Sequence, residues 1–143
     1  MPISDGLWIA SDVGLILGDV EFIDKAGREV ARAVRQYSPE VIVTAEAKAV
    51  AMAYEVARGL GHERFVVIRK SIKGYMRGYI TESVKSITTR GLQVLVLTEE
   101  DAKLIRGGRV CLFDDVVSTG DTMKALERLI RRASGDVVCE ACI

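Results

Sequence analysis

Histidine is almost missing from these 143 residues: His62 stands alone, in a connection between a helical and a strand-like stretch. One imidazole is poor material for a protein-held metal site, and His62 reads as a surface loop residue. Net charge is missing too, because 20 Lys and Arg balance 20 Asp and Glu. The chain therefore has no basic footprint of the kind that holds nucleic acid without regard to sequence. No apolar run is long enough to cross a bilayer, and Met1-Pro-Ile-Ser-Asp-Gly6 lacks the basic and hydrophobic regions of a secretory signal. These absences predict a soluble, cytoplasmic protein. Cysteine is sparse and odd in number: Cys111, Cys139 and Cys142 lie in or beside apolar stretches that read as strands. Cys139 and Cys142 have redox-motif spacing, yet three residues along a strand put them on opposite faces, which predicts buried free thiols. Neither a Gly-Lys-Ser/Thr phosphate loop nor a G-x-G-x-x-G fingerprint occurs, and no repeat, low-complexity tract or linker divides the chain.

What is present suits one core. Apolar residues make up 49% of the sequence, enough for one domain spanning 1–143 and too little for two. After Asp19, a candidate N-cap, residues 20–37 carry Phe22, Ile23, Ala26, Val30, Ala33, Val34 and Tyr37 at helical spacing, stopping before Ser38-Pro39. Val41-Ile-Val-Thr-Ala45 reads as a strand, 49–58 as a helix ending at Gly59-Leu-Gly61, and Phe65-Val-Val-Ile68 as a second buried strand. Strand, helix and strand within so few residues predict a parallel crossover. Residues 71–79 mix Lys73, Gly74, Arg77 and Gly78 with two tyrosines and a methionine, without a period, and read as a mobile loop. Residues 80–88 and 92–98 read as a hairpin turning at Arg90-Gly91. A short helix over 99–105, a strand over 110–113, a helix over 122–133 and a last strand from Val137 complete the chain. The predicted fold is α/β: an open, mostly parallel twisted sheet with helices on both faces and an inserted hairpin and loop.

One segment concentrates the chemistry: Val110-Cys-Leu-Phe-Asp-Asp-Val-Val-Ser-Thr-Gly-Asp-Thr122. Two carboxylates stand at the carboxyl end of a strand, where open α/β sheets bind ligands. The turn behind them opens a helix, so free N–H groups and the helix dipole attract an anion; Gly120 permits close approach, and Ser118, Thr119 and Thr122 add hydroxyls. This part predicts a phosphate. Asp114 and Asp115 would repel it, so they serve another part of the same ligand. Vicinal sugar hydroxyls fit, because paired carboxylates accept two hydrogen bonds and favour positive charge developing on the ring. Simple helix capping explains the glycine but not the acidic pair.

Apolar run, acidic pair and Thr-Gly-x-Thr together resemble the 5-phosphoribosyl diphosphate (PRPP) motif of type I phosphoribosyltransferases, with Asp121 where a small neutral residue is common. Upstream, Thr44-Ala-Glu-Ala-Lys-Ala49 resembles the diphosphate loop of adenine and xanthine phosphoribosyltransferases, with Ala49 in place of the family's glycine, and Arg69-Lys70 resembles the pair before their flexible catalytic loop. The resemblance implies that Asp114 and Asp115 hold the ribose hydroxyls and that Val116, Val117, Ser118, Thr119, Gly120, Asp121 and Thr122 surround the 5′-phosphate. Ala47, Lys48, Ala49, Arg69, Lys70 and Lys73 would face the diphosphate, with Lys70 joining the aspartates in catalysis. It also implies Mg²⁺ held mainly by ligand oxygens and water, with no protein side chain assigned to it, and a homodimer. Trp8, in the N-terminal segment expected to help hold the base, could supply an aromatic surface. The stretch Ser86-Ile-Thr-Thr-Arg-Gly91 lacks the glutamate that adenine-type members often carry there, and the family usually continues past the position of Ile143. The implied activity is a purine phosphoribosyltransferase, adenine first; the rival is a PRPP-binding regulator with little chemistry.

Overall fold

The computed structural model of the chain describes residues 2–4, 7–8, 12–86 and 91–143. Two short strands, β1 (Pro2–Ser4) and β2 (Leu7–Trp8), pair antiparallel at the start. A six-residue helix follows, α1 (Val13–Gly18), capped by Asp12 Oδ1 accepting the amides of Gly14 and Leu15. Sequence periodicity assigns nothing here, because six residues with Gly14 and Gly18 among them bury only Ile16.

Asp19 caps α2 (Val20–Val34) as its position predicts, its Oδ1 accepting the Phe22 amide at 2.8 Å. The α-helix stops at Val34 and tightens into a 3₁₀ turn over Arg35–Tyr37, short of the expected continuous helix. Ser38, at φ 46°, precedes Pro39, and the proline ring disfavours helical geometry in the residue before it. The next elements are β3 (Val41–Ala45), α3 (Val50–Leu60), β4 (Val66–Ile68), β5 (Tyr79–Ser86), β6 (Gly91–Thr98) and α4 (Glu99–Ile105). They are followed by β7 (Arg109–Asp114), α5 (Asp121–Arg132) and β8 (Asp136–Cys142).

Four strands form a sheet in the order β4-β3-β7-β8, with every pair parallel. The crossover from β3 through α3 to β4 is therefore parallel, as predicted. The β5–β6 hairpin forms its own antiparallel sheet, tied to the end of β4 by an Arg69–Val96 bridge. Its expected turn begins within residues 87–90, which lie outside the described residues.

Alternation along β3 and β7 divides the core into two layers. Val43, Ala45, Val110 and Leu112 face α5, α4 and the hairpin, meeting Leu126, Leu129 and Leu95. Ile42, Cys111 and Phe113 face α2 and α3, meeting Ile23, Val34, Met52 and Val56. Each fully buried large aliphatic or aromatic side chain contributes about 1.5–3 kcal/mol. The two helices approach closely: a Cβ on Gly27 would stand 2.5 Å from Glu55 Cβ, and one on Gly59 would stand 2.8 Å from Ala31 Cβ.

Two sequence expectations are corrected here. Cys111 is buried and Cys139 half-buried, but Cys142 is exposed; all three are free. Cys139 packs against the α2–α3 layer, whereas Cys142 ends an edge strand. Burial pushes the Cys111 and Cys139 thiols up. His62 is not a plain surface residue: its ring is partly buried, with Nε2 2.9 Å from the Pro39 carbonyl oxygen. A carbonyl only accepts, so Nε2 carries the proton.

Candidate active site

The carboxyl ends of β3, β4 and β7 converge because those strands run parallel. At the end of β7 stand Asp114 and then Asp115, which is only 5% exposed. The Asp115 amide donates to Asp114 Oδ1 at 2.9 Å. Burial pushes the Asp114 carboxyl up to about 6; hydrogen bonding with the Asp115 side chain and its charge push the same way, while the Asp115 amide and Lys70 oppose them. Lys48 Nζ lies 2.9 Å from Asp115 Oδ2, but out of line for a hydrogen bond, so this buried oxygen accepts none.

Beyond the acidic pair, Val116, Val117, Ser118 and Thr119 form an exposed turn. Gly120, at φ 77°, is the N-cap of α5 and supplies no side-chain acceptor. The positive φ suits glycine, and the orphan amides of a helix start are left uncapped by it. Thr119 Oγ1 bonds Asp121 Oδ2 at 2.9 Å, so Asp121 closes the turn from its own side. Asp121 is exposed and Thr122 half-buried in the first turn of α5.

The loop between β3 and α3 reaches the acidic pair through Lys48, whose Nζ stands by Asp115. Ala47 and Lys48 are exposed, and the Glu46–Ala47 peptide is cis. Ala49, standing where a glycine is expected, adopts φ −79° and ψ −3°, open to any L-residue, and its methyl is buried in the α2–α3 layer. Glu46, given no role by sequence reasoning, reaches the end of β4. Its Oε1 lies 2.6 Å from Arg69 Nε, and its Oε2 accepts the Lys70 amide at 2.9 Å. The Glu46 amide donates to Ile68 O at 3.0 Å. The signal was its place beside Lys48 in the same short motif.

The remaining basic residues divide. Lys70 is exposed and close enough to Asp114 to lower its pKa. Lys73 is exposed in a turn of its own, where the Met76 amide donates to Lys73 O at 3.0 Å; no contact joins it to the aspartates among the described residues. Trp8 has its backbone in β2, and its side chain lies outside the described residues. Glu82 in β5, unmarked in the sequence, accepts Arg128 Nε at 2.8 Å through Oε1, while Arg132 Nη1 lies 3.3 Å from its Oε2. Hydrogen bonding from Arg128 leads the causes that hold this carboxyl below its ordinary range.

A parallel sheet, an acidic pair and an uncapped glycine turn at its carboxyl edge define a class. The chain belongs to the phosphoribosyl transferase domain family, whose pattern matches residues 17–143. Within that family it is a type I phosphoribosyltransferase of the purine branch. It is 31% identical to an adenine phosphoribosyltransferase of Clostridium kluyveri over 127 residues, 89% of this chain and 70% of that protein. It is 30% identical to one of Petrotoga mobilis over 135 residues, 94% of this chain and 75% of the relative. The crystal structure of adenine phosphoribosyltransferase from Thermoanaerobacter pseudethanolicus shares its fold, with a TM-score of 0.80 at 21% identity over 96% of this chain and 76% of the other.

Proposed function

We propose that the protein transfers the 5-phosphoribosyl group of PRPP to adenine, releasing diphosphate and forming the nucleoside monophosphate. The observation that carries this reading is the meeting, at one sheet edge, of the Asp114–Asp115 pair with the start of α5, where Gly120 gives no side-chain cap and Thr119 Oγ1 takes only the Asp121 amide, on one side and Lys48, Arg69 and Lys70 on the other. Adenine is favoured because the relatives are adenine phosphoribosyltransferases.

In this reading a ring nitrogen of the base forms a bond to the anomeric carbon as the bond to diphosphate breaks. The electron pair leaves with the diphosphate, and the ring proton of the base passes to water or to the departing diphosphate. Asp114 and Asp115 accept the ribose hydroxyls and stabilise the positive charge that builds on the sugar. The turn from Val116 to Thr122 holds the 5′-phosphate, and Ala47, Lys48, Ala49, Arg69 and Lys70 receive the diphosphate, with Lys73 joining them from its turn. Buried Asp115 Oδ2 accepts no hydrogen bond and is paired only with Lys48; together with Asp114 it offers carboxylate oxygens of the kind a hard cation takes. Asp114 and Asp115 would help to hold Mg²⁺ alongside ligand oxygens and water, and the cation would supply charge neutralisation for the departing diphosphate. One domain over 1–143, a homodimer and a cytoplasmic setting complete the proposal.

The test is diphosphate release from PRPP and Mg²⁺ with each purine base supplied separately. Release with adenine, lowered on the order of a hundredfold in the Asp114→Asn/Asp115→Asn variant, is the expected result. Silence with every base would sink the transferase, and release only with another base would replace adenine.

A further inference from the structure

Glu46 is joined to the end of β4 by two hydrogen bonds and an ion pair, across more than twenty residues of sequence: its amide donates to Ile68 O, its Oε2 accepts the Lys70 amide, and its Oε1 stands 2.6 Å from Arg69 Nε, close enough for charge pairing but out of line for a hydrogen bond. The last contact uses the inner nitrogen of the guanidinium. Its two outer Nη groups keep no partner among the described residues, so the fork that can grip an anion with two parallel bonds stays available. Arg69 is fixed from the other side as well, its backbone exchanging hydrogen bonds of 3.0 and 2.8 Å with Val96. Lys48, two residues past Glu46, leans on Asp115. The carboxylate thus sits behind the cations rather than among their free ends.

We propose that Glu46 is a positioning residue: it holds Arg69 and the Lys70 backbone so that their cations meet the diphosphate of PRPP already oriented. This rests on the reading of the edge as a PRPP site. Orientation fixed before binding costs nothing at the moment of binding, and that gain belongs only to ligands carrying the diphosphate. The opposite reading makes Glu46 a competing anion whose loss would tighten binding.

Titration calorimetry with Mg²⁺ separates them, using PRPP and ribose 5-phosphate, which lacks the diphosphate. Glu46→Ala is expected to weaken PRPP about tenfold and to leave ribose 5-phosphate unchanged. Glu46→Gln keeps an acceptor for the Lys70 amide and should fall between wild type and Glu46→Ala. Unchanged or tighter PRPP binding in both variants would overturn the proposal, as would an equal loss for both ligands, which marks a general collapse of the loop. A folded wild type that binds no PRPP would overturn both this inference and the function beneath it.

Discussion

Asp114 binds a proton more readily in the folded chain than a free aspartate does, because burial and Asp115 both disfavour its charge. Its folded pKa, about 6, stands above the ordinary 3.8. The stability linked to that proton is complete below the unfolded value and is lost as pH rises through 6. Asp114→Asn removes the charge and should therefore melt higher than wild type at pH 8, by on the order of 2 kcal/mol, with the gain fading toward pH 4. A variant less stable than wild type at pH 8 would show that the charge is not a burden. Affinity for PRPP should run the other way in the wild type, weakening as the solution falls from pH 7 to 5 and the carboxylate protonates. At this scale the acidic pair and glycine turn were legible because they lie together in one short motif. The Lys48–Asp115 pair, the Glu46 bonds and the Glu82 clamp were not, because each joins residues more than twenty positions apart.

Among the elements, α2 and α3 meet where side chains are smallest. Alanine is the better helix former by about 1 kcal/mol, so Gly27→Ala would stabilise an isolated α2. Here the new methyl would meet Glu55 Cβ at 2.5 Å, and overpacking of this kind costs about 1–3 kcal/mol. Urea unfolding should show Gly27→Ala to be net destabilised; a gain would mean that the helices part freely. Strands and longer helices were readable because β-branched runs and helical spacing reflect burial on one or two faces. The short α1 and the 3₁₀ end of α2 escaped: one buries a single side chain, and the other is set by Ser38 geometry that periodicity does not encode. The exposed Cys142 escaped because edge position depends on strand order, which becomes visible only once the sheet is assembled.

For the whole molecule, one sheet serves two apolar layers. Leu112 and Phe113 are sequence neighbours, yet each enters a different layer. Leu112→Ala should cost about 2–5 kcal/mol and Phe113→Ala about 3–5 kcal/mol. Because both layers lean on the same strands, each variant should lower a single common transition in calorimetry and denaturant. Two separated transitions would show that the layers unfold independently. The parallel strand direction that unites the layers also brings the carboxyl ends of β7 and β8 side by side, with Asp114 in register with Cys142. That thiol is open to solvent while Cys111 is sealed in the core. The chain thus carries, one strand away from the acidic pair, its own most open attachment point for a fluorophore or spin label, with half-buried Cys139 the thiol to protect or replace.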